Sequence, residues 1–260
     1  MTGPAAVAVR PAWRGWWVDA GLLAGFVAIT GALAAWPALL RLDVAVRDAS
    51  DAHRPAAAYW LAWTVNHLGQ GTPLAALALV LAAVVAWRTR TVRPLLPVFA
   101  AEILTYCVVG PLKLWTERGA PHYGSVALFS EPHQTSYPSG HLVNTIVWYA
   151  VIAALASRWL PSAATTVLRT VPVAAVSVTT VYLGYHWLTD TLAGLVLGVL
   201  LCRLLARVSW RRVPLPAALD RAAHADGEAP PAAPDADRRV PLSVATDRAT
   251  DGDVDRRAPR

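Results

Sequence analysis

The chain has 260 residues, of which 55% are hydrophobic, and a formal net charge of +6 at pH 7. Its apolar residues fall in runs long enough to cross a hydrocarbon core, which takes about 20 residues per helix, so an ordinary soluble domain is excluded. The segment from residue 209 onwards holds nine arginines and nine acidic residues. It is therefore neutral, which excludes a one-signed nucleic-acid-binding arm.

The apolar runs predict an all-α fold, a polytopic bundle of six transmembrane helices. The predicted spans are 16–36, 73–87, 94–115, 141–160, 167–185 and 187–208. The aromatic segment AAAYWLAWTVNHLG, before the second span, predicts a separate interfacial helix. The chain is thereby divided into a cytoplasmic N-terminus over 1–15, a membrane domain over 16–208 and a disordered cytoplasmic tail over 209–260. The sequence leaves open whether this domain forms a homo-oligomer.

Basic residues collect at one end of the predicted bundle and set its orientation. They lie before the first span, between the second and third, between the fourth and fifth, and at the end of the sixth: Arg10, Arg14, Arg88, Arg90, Arg93, Arg158, Arg169, Arg203 and Arg207. The connections at the other end mix both signs of charge. We therefore expect a multi-pass protein of a bacterial plasma membrane, with both termini in the cytoplasm and residues 113–141 and 182–190 at the outer face.

Two histidines and an aspartate lie in these outer segments. His186 and Asp190 are four residues apart, so on a helix they share one face. A carboxylate in that position fixes the imidazole tautomer and prepares the other ring nitrogen for nucleophilic attack, and His141 could then protonate a leaving group. The alternative is an interfacial pair that anchors the sixth helix, although ionisable groups at membrane depth usually have a function.

Four further residues at this face fit an anion-binding site. Lys113 is the only lysine in a chain with 22 arginines, which suggests a position that needs a compact ammonium; the alternative is a snorkelling interfacial lysine. Arg118 offers a planar fork for phosphate oxygens. Ser139 and Gly140 either cap a helix or help to hold an anion at its first turn.

Three segments, KLWTERGAP, YPSGH and YLGYHWLTD, in that order resemble the signature motifs of the type 2 phosphatidic acid phosphatase superfamily. The resemblance covers roughly residues 40–205. Membrane members of that family are six-helix lipid phosphatases and phosphotransferases. The resemblance implies that no metal or other cofactor is needed, because fixed charges and amides stabilise the transferred phosphoryl group. It also implies these roles: His186 as the nucleophile that forms a phosphohistidine, Asp190 as its orienting partner, His141 as general acid, and Lys113, Ser139 and the Gly140 amide as phosphate ligands.

The sequence departs from the family pattern at two places. The arginine of the first signature is replaced by Ala120, and Arg118 could supply the missing charge. The serine and arginine that precede the histidine of the third signature are replaced by Thr179 and Thr180. Fewer cations would then hold the phosphate. Three outcomes follow: compensation by a loop histidine (His122 or His133), a different substrate, or binding without turnover.

The leading hypothesis is a lipid phosphatase that acts at the outer leaflet on a phosphomonoester or diphosphate. Polyprenyl diphosphate, phosphatidic acid and phosphatidylglycerol phosphate are candidate substrates, and the sequence does not choose among them. Alternatives are a phosphotransferase with a sugar or inositol acceptor and a non-catalytic lipid-phosphate binder. An intramembrane protease with Ser139 as nucleophile would leave Lys113 and Asp190 without a use. A proton-relay transporter would need polar groups across the whole membrane rather than at one face.

Overall fold

A computed structural model describes residues 15–216 and 219, and over that part the chain is helical without a β-strand. The eight helices are α1 (Trp16–Ala35), α2 (Pro37–Ala52), α3 (Ala56–Asn66), α4 (Gly71–Thr89), α5 (Leu96–Thr116), α6 (Gly140–Ala156), α7 (Ser162–Tyr182) and α8 (Leu188–Arg207). The predicted N-terminal segment and most of the predicted tail lie outside the described residues.

Six of these helices form the membrane bundle. Helices α1, α4, α5, α7 and α8 are long and apolar enough to span a bilayer. Helix α6 has 17 apolar-rich residues, or about 26 Å at 1.5 Å per residue. The all-α membrane architecture is thus confirmed. The fifth span begins at Ser162, five residues earlier than expected, so the placement of Arg169 in a connection was wrong and Arg169 lies inside α7.

Helix α6 is the centre of the bundle, because it packs against α4, α5, α7 and α8. Its Val143, Val147 and Trp148 side chains are buried, as expected for a helix that is apolar on all sides. Two glycines of α8 let that helix approach closely. A Cβ on Gly194 would lie 2.7 Å from the Ser139 carbonyl oxygen, and one on Gly198 would lie 2.8 Å from a side-chain carbon of α6. Close packing of α6 and α8 brings the beginnings of both helices together.

A buried ion pair fastens α1 to the far end of α8. Asp19 accepts a hydrogen bond from Arg203 Nε at 2.5 Å and also pairs with Arg207. The Arg207 guanidinium lies 4.0 Å from the ring centroid of Trp16. Charges are costly at membrane depth unless they are paired, so these contacts fix the position of α1 along α8.

The connection between the first two spans forms two helices. Helix α3 confirms the separate helix that the aromatic segment predicted, and it packs against α7. Helix α2 was not predicted, because its mixture of acidic and basic residues is typical of a surface connection between spans. It packs against α7 and α8 and places Asp43 beside the first turn of α8.

Candidate active site

A cavity of about 550 Å³ opens at the end of the bundle where α6 and α8 begin. Lys113 comes from the last turn of α5, His141 from the first turn of α6, and His186 from the turn before α8. All three line this cavity. Residues that are separated by whole helices in the sequence are therefore brought to one place.

His186 is buried and directs one ring nitrogen into the protein. Its Nδ1 lies 3.5 Å from Asp190 Oδ2 and 3.3 Å from Ser136 Oγ. With Nδ1 against these two oxygens, Nε2 is the nitrogen left for a ligand in the cavity. Burial lowers the pKa of His186 below its ordinary value of 6.5, against the opposing effect of Asp190. A lowered pKa keeps the imidazole neutral at physiological pH, as a nucleophile requires.

Asp190 is fully enclosed and every contact on it comes from a donor. Ser136 Oγ donates to Oδ2 at 2.6 Å, the Trp187 amide donates to the same oxygen at 3.1 Å, and Arg118 donates to Oδ1 at 2.5 Å. These donors hold the carboxylate in its ionised form and fix its orientation toward His186. Ser136 is thus a site residue that the sequence analysis missed, although it lies within the segment TSYPSGH.

Arg118 does not reach the cavity, and the expectation that it binds phosphate needs correction. Its side chain is fully buried, with one terminal nitrogen 2.6 Å from Asp43 Oδ2 and the other bonded to Asp190. Its Nε donates to the Val126 carbonyl at 2.8 Å. The guanidinium is bonded to two carboxylates and a backbone carbonyl. Arg118 therefore holds Asp190 in place and is not available to a ligand in the cavity.

Asp43 completes this buried cluster from outside the signature motifs. It accepts hydrogen bonds from Arg118, from Thr189 Oγ1 at 2.5 Å and from the Thr189 amide at 3.0 Å. Its contacts with Thr189 also tie it to the first turn of α8. Nothing in the sequence distinguishes Asp43 from its neighbours Asp48 and Asp51, so it could not have been selected without the structure.

The imidazole rings of His141 and His186 are neighbours in the cavity lining. Their ring centroids are 5.5 Å apart at an interplanar angle of 71°, and the Tyr185 ring stacks on His141 with a centroid distance of 6.0 Å. This spacing allows one phosphate ester to contact both imidazoles. The predicted nucleophile and general acid therefore share one cavity.

The predicted phosphate ligands are placed unequally. Lys113 donates a hydrogen bond to the Thr135 carbonyl, and its Cε lies 3.5 Å from the position that a Cβ on Gly140 would take, so both border the cavity. Ser139 is buried and does not line it. The Ser139 hydroxyl accepts a hydrogen bond from the Leu142 amide, and its own amide donates to the Asp190 carbonyl. These are the contacts of a helix cap, so the first-turn amides of α6, and not the Ser139 hydroxyl, are the groups of this turn that could bind an anion.

The two departures from the family pattern differ in whether the replaced position borders the cavity. Ala120 lines the cavity, so a methyl group stands where an arginine side chain would meet a ligand. Thr180 is fully buried with an unpartnered hydroxyl and is not part of the lining. His122 pairs with Asp51 at 3.0 Å, and neither it nor His133 lines the cavity. The polar lining instead includes neutral amides: Gln70, Gln134 and Asn144.

Comparison with known proteins agrees with the three motifs. The family described as the PAP2 superfamily matches residues 94–214, which include all three signature segments. Phosphatidylglycerophosphatase B of Bacillus subtilis (strain 168) is 32% identical over 146 residues, which are 53% of this chain and 68% of that protein. The chain belongs to the PAP2 superfamily. The resemblance seen in the sequence is thereby confirmed.

A solved PAP2 structure shares the fold. The crystal structure of a transmembrane PAP2 type phosphatidylglycerolphosphate phosphatase from Bacillus subtilis superimposes with a TM-score of 0.63 and 27% sequence identity. The alignment covers 73% of this chain and 94% of that one. Nearly the whole of that PAP2 protein thus has a counterpart here.

Proposed function

We propose that this PAP2 protein is a metal-independent lipid phosphatase that hydrolyses a phosphomonoester or diphosphate through a phosphohistidine at His186. The observation that carries the proposal is the set of contacts around that ring. Nδ1 faces Asp190 and Ser136, and the residue borders a cavity that also contains His141 and Lys113.

In the first half of the reaction, the lone pair of His186 Nε2 attacks phosphorus and the bond from phosphorus to the ester oxygen breaks. The leaving oxygen takes a proton from His141, so a neutral alcohol departs. The imidazole becomes positively charged as the phosphorus–nitrogen bond forms. Asp190 stabilises that charge through Nδ1–H, while Lys113 and the first-turn amides of α6 stabilise the phosphoryl oxygens.

In the second half, a water molecule in the cavity attacks the phosphohistidine. His141, now neutral, takes a proton from that water, and the electron pair of the phosphorus–nitrogen bond returns to His186. Inorganic phosphate leaves and both histidines regain their starting states. Water is the co-substrate consumed, and no oxidant or reductant is needed.

Among candidate substrates, a phosphatidylglycerol phosphate is favoured, because both relatives described above carry that activity in their names. The same mechanism would also hydrolyse polyprenyl diphosphate and phosphatidic acid.

The charge distribution supports an active site at the outer face. Arg88, Arg90, Arg93 and Arg158 lie at the bundle end opposite the cavity, which the positive-inside rule assigns to the cytoplasm.

Binding without turnover is a second candidate, which the cavity lining favours. With Ala120 in the lining and Arg118 enclosed, Lys113 is the one lysine or arginine that borders the cavity in the described residues. Loss of one oriented donor at such a site can cost about a hundredfold or more in rate. Both candidate functions predict that the protein binds lipid phosphate, but only the phosphatase predicts that it releases inorganic phosphate.

The test is phosphate release by purified protein in detergent, with chelator present, from phosphatidylglycerol phosphate, phosphatidic acid and polyprenyl mono- and diphosphate. We expect chelator-resistant release that His186→Ala abolishes. His67→Ala is the matched control, because His67 bonds to the Trp63 carbonyl and does not line the cavity. Absence of release by the wild-type protein, with lipid phosphate still bound, would favour the second candidate.

A further experiment separates the two histidines. With an aryl phosphate, whose leaving group needs little protonation, His141→Ala should keep formation of the phosphoenzyme and lose much less rate than with a lipid substrate. His186→Ala should form no acid-labile phosphoprotein with either substrate. Equal losses of His141→Ala on both substrates would contradict the general-acid role.

A further inference from the structure

A second groove lies at the opposite end of the bundle from the catalytic cavity. Helices α7 and α8 both pack along α6 but scarcely touch each other, which leaves a space of about 620 Å³ with α6 as its floor. Along α7, Arg169 is 13 residues from the catalytic end, and along α8 Cys202 is 14 residues from it. At 1.5 Å per residue both lie about 20 Å from that end.

The groove is amphipathic along its length. Arg169 lines it near the end where α7 begins, beside the thiol of Cys202. Toward the middle of the bundle its walls are mainly apolar, with Val173, Ala174 and Val199 among the lining residues and Ser177 as a polar exception. Such a volume falls in the range of about 300–1,000 Å³ that small-molecule sites occupy.

Arg169 is the lining residue whose charge is most suited to bind a ligand. It lies seven residues into α7, about 10 Å along the helix from Ser162. Within residues 15–216 and 219 it forms no ion pair, whereas Arg203, which also borders the groove, binds Asp19. Arg169 is exposed and hydrogen-bonds the Cys202 thiol of α8, a neutral partner that leaves its positive charge uncompensated. An arginine at this depth normally pairs with an acidic group or a backbone carbonyl.

We propose that this groove binds one anionic phospholipid of the leaflet opposite the catalytic cavity, with its phosphate at Arg169 and one acyl chain between α7 and α8. A phospholipid matches both parts of the groove, because its anionic phosphate suits Arg169 and its acyl chain suits the apolar walls. Basic pockets between transmembrane helices on the cytoplasmic side are known to bind anionic headgroups. The site is independent of the catalytic proposal.

The test is native mass spectrometry of the full chain, released from detergent after incubation with equal amounts of phosphatidylglycerol and phosphatidylcholine of identical chains. We expect the wild-type protein to retain phosphatidylglycerol about fivefold more than phosphatidylcholine, the factor that one arginine near an anionic headgroup supplies. Arg169→Gln should lose that preference and Arg169→Lys should keep part of it. Arg158→Gln is the matched control, because its guanidinium lies over the Trp159 ring and outside the groove, so its preference should be unchanged.

A steric variant tests the acyl-chain part of the site. Ala174→Leu fills the groove without changing charge and should lower retention of both lipids, while thermal melting shows that it and Arg169→Gln remain folded. Lipid bound in the catalytic cavity does not distinguish these variants, because along α7 Arg169 and Ala174 lie about 20 Å and about 12 Å from the catalytic end, and neither lines that cavity. Equal retention by wild type and Arg169→Gln, or displacement of phosphatidylglycerol by added inorganic phosphate, would overturn the proposal.

Discussion

Replacing Asp43 by asparagine tests whether the catalytic aspartate depends on a charge outside the signature motifs. Asp43 and Asp190 share the guanidinium of Arg118, and all three side chains are buried. Two carboxylates and one guanidinium carry a net negative charge, which would favour the positive charge that His186 acquires in the proposed phosphohistidine. The substitution preserves shape but leaves a neutral pair in place of the negative cluster.

The expected loss follows from the contacts. The Asp43→Asn variant would forgo the 2.6 Å ion pair with Arg118 and weaken two hydrogen bonds with Thr189, at 2.5 and 3.0 Å. Removing one partner of a buried pair costs about 3–5 kcal/mol. Because Arg118 keeps Asp190 as its other partner, and because burial raises the pKa of Asp43 and so offsets part of the pairing energy, we expect less, about 1–3 kcal/mol of unfolding free energy. We also expect kcat/KM to fall at least about tenfold, which corresponds to about 1.4 kcal/mol of transition-state stabilisation.

The assay is reversible unfolding in mixed detergent micelles together with steady-state kinetics. Asp48→Asn is the control, since Asp48 lies on the same helix with 60% of its side chain exposed and pairs with Arg47 at the surface. A surface pair of this kind contributes about 0–1 kcal/mol. Indistinguishable stability and kinetics of the two variants would refute the supporting role of Asp43.

Three further outcomes are expected. Because burial lowers the pKa of His186 below 6.5, kcat/KM for an aryl phosphate, whose leaving group needs little protonation by His141, should hold from neutral pH down to 6.5 and fall only under it, as His186 is protonated; a midpoint above 6.5 in that pH profile would contradict this. Ala120→Arg adds a cation to the cavity lining, so kcat/KM should rise about tenfold or more, and an unchanged rate would mean that the cavity needs no second cation. Gly194→Ala should lower the melting temperature, because the new Cβ would lie 2.7 Å from the Ser139 carbonyl oxygen, whereas Gly21→Ala, which meets nothing within 4 Å, should not.

The spans and the grouping of the site were predictable because they depend on local patterns. Apolar runs of membrane length determine the helices, and successive spans alternate in direction, so Lys113, His141 and His186 had to lie at one face. The structure places these three around one cavity. Asp190 does lie beside the His186 imidazole, but the spacing of four residues predicted this for two positions on a helix, and His186 lies in the turn before α8.

The direction of a side chain at a helix end was not predictable. Arg118 stands two residues before Ala120, and its sequence position is equally compatible with a phosphate ligand and with a structural ion pair. The choice depends on Asp43, which lies 75 residues earlier and reaches Arg118 only because α2 packs across α8. A single sequence carries no record of such a distant contact.

The contact between α2 and α8 also limits how this candidate active site can be divided or transplanted. The family match spans 94–214, yet Asp43, which balances the Arg118 guanidinium and binds the first turn of α8, precedes it. Grafting the three motifs onto another six-helix scaffold would move the reactive groups but leave this counter-charge behind. An active hybrid would therefore have to take the α2 segment as well, even though α2 contributes no residue to the cavity lining.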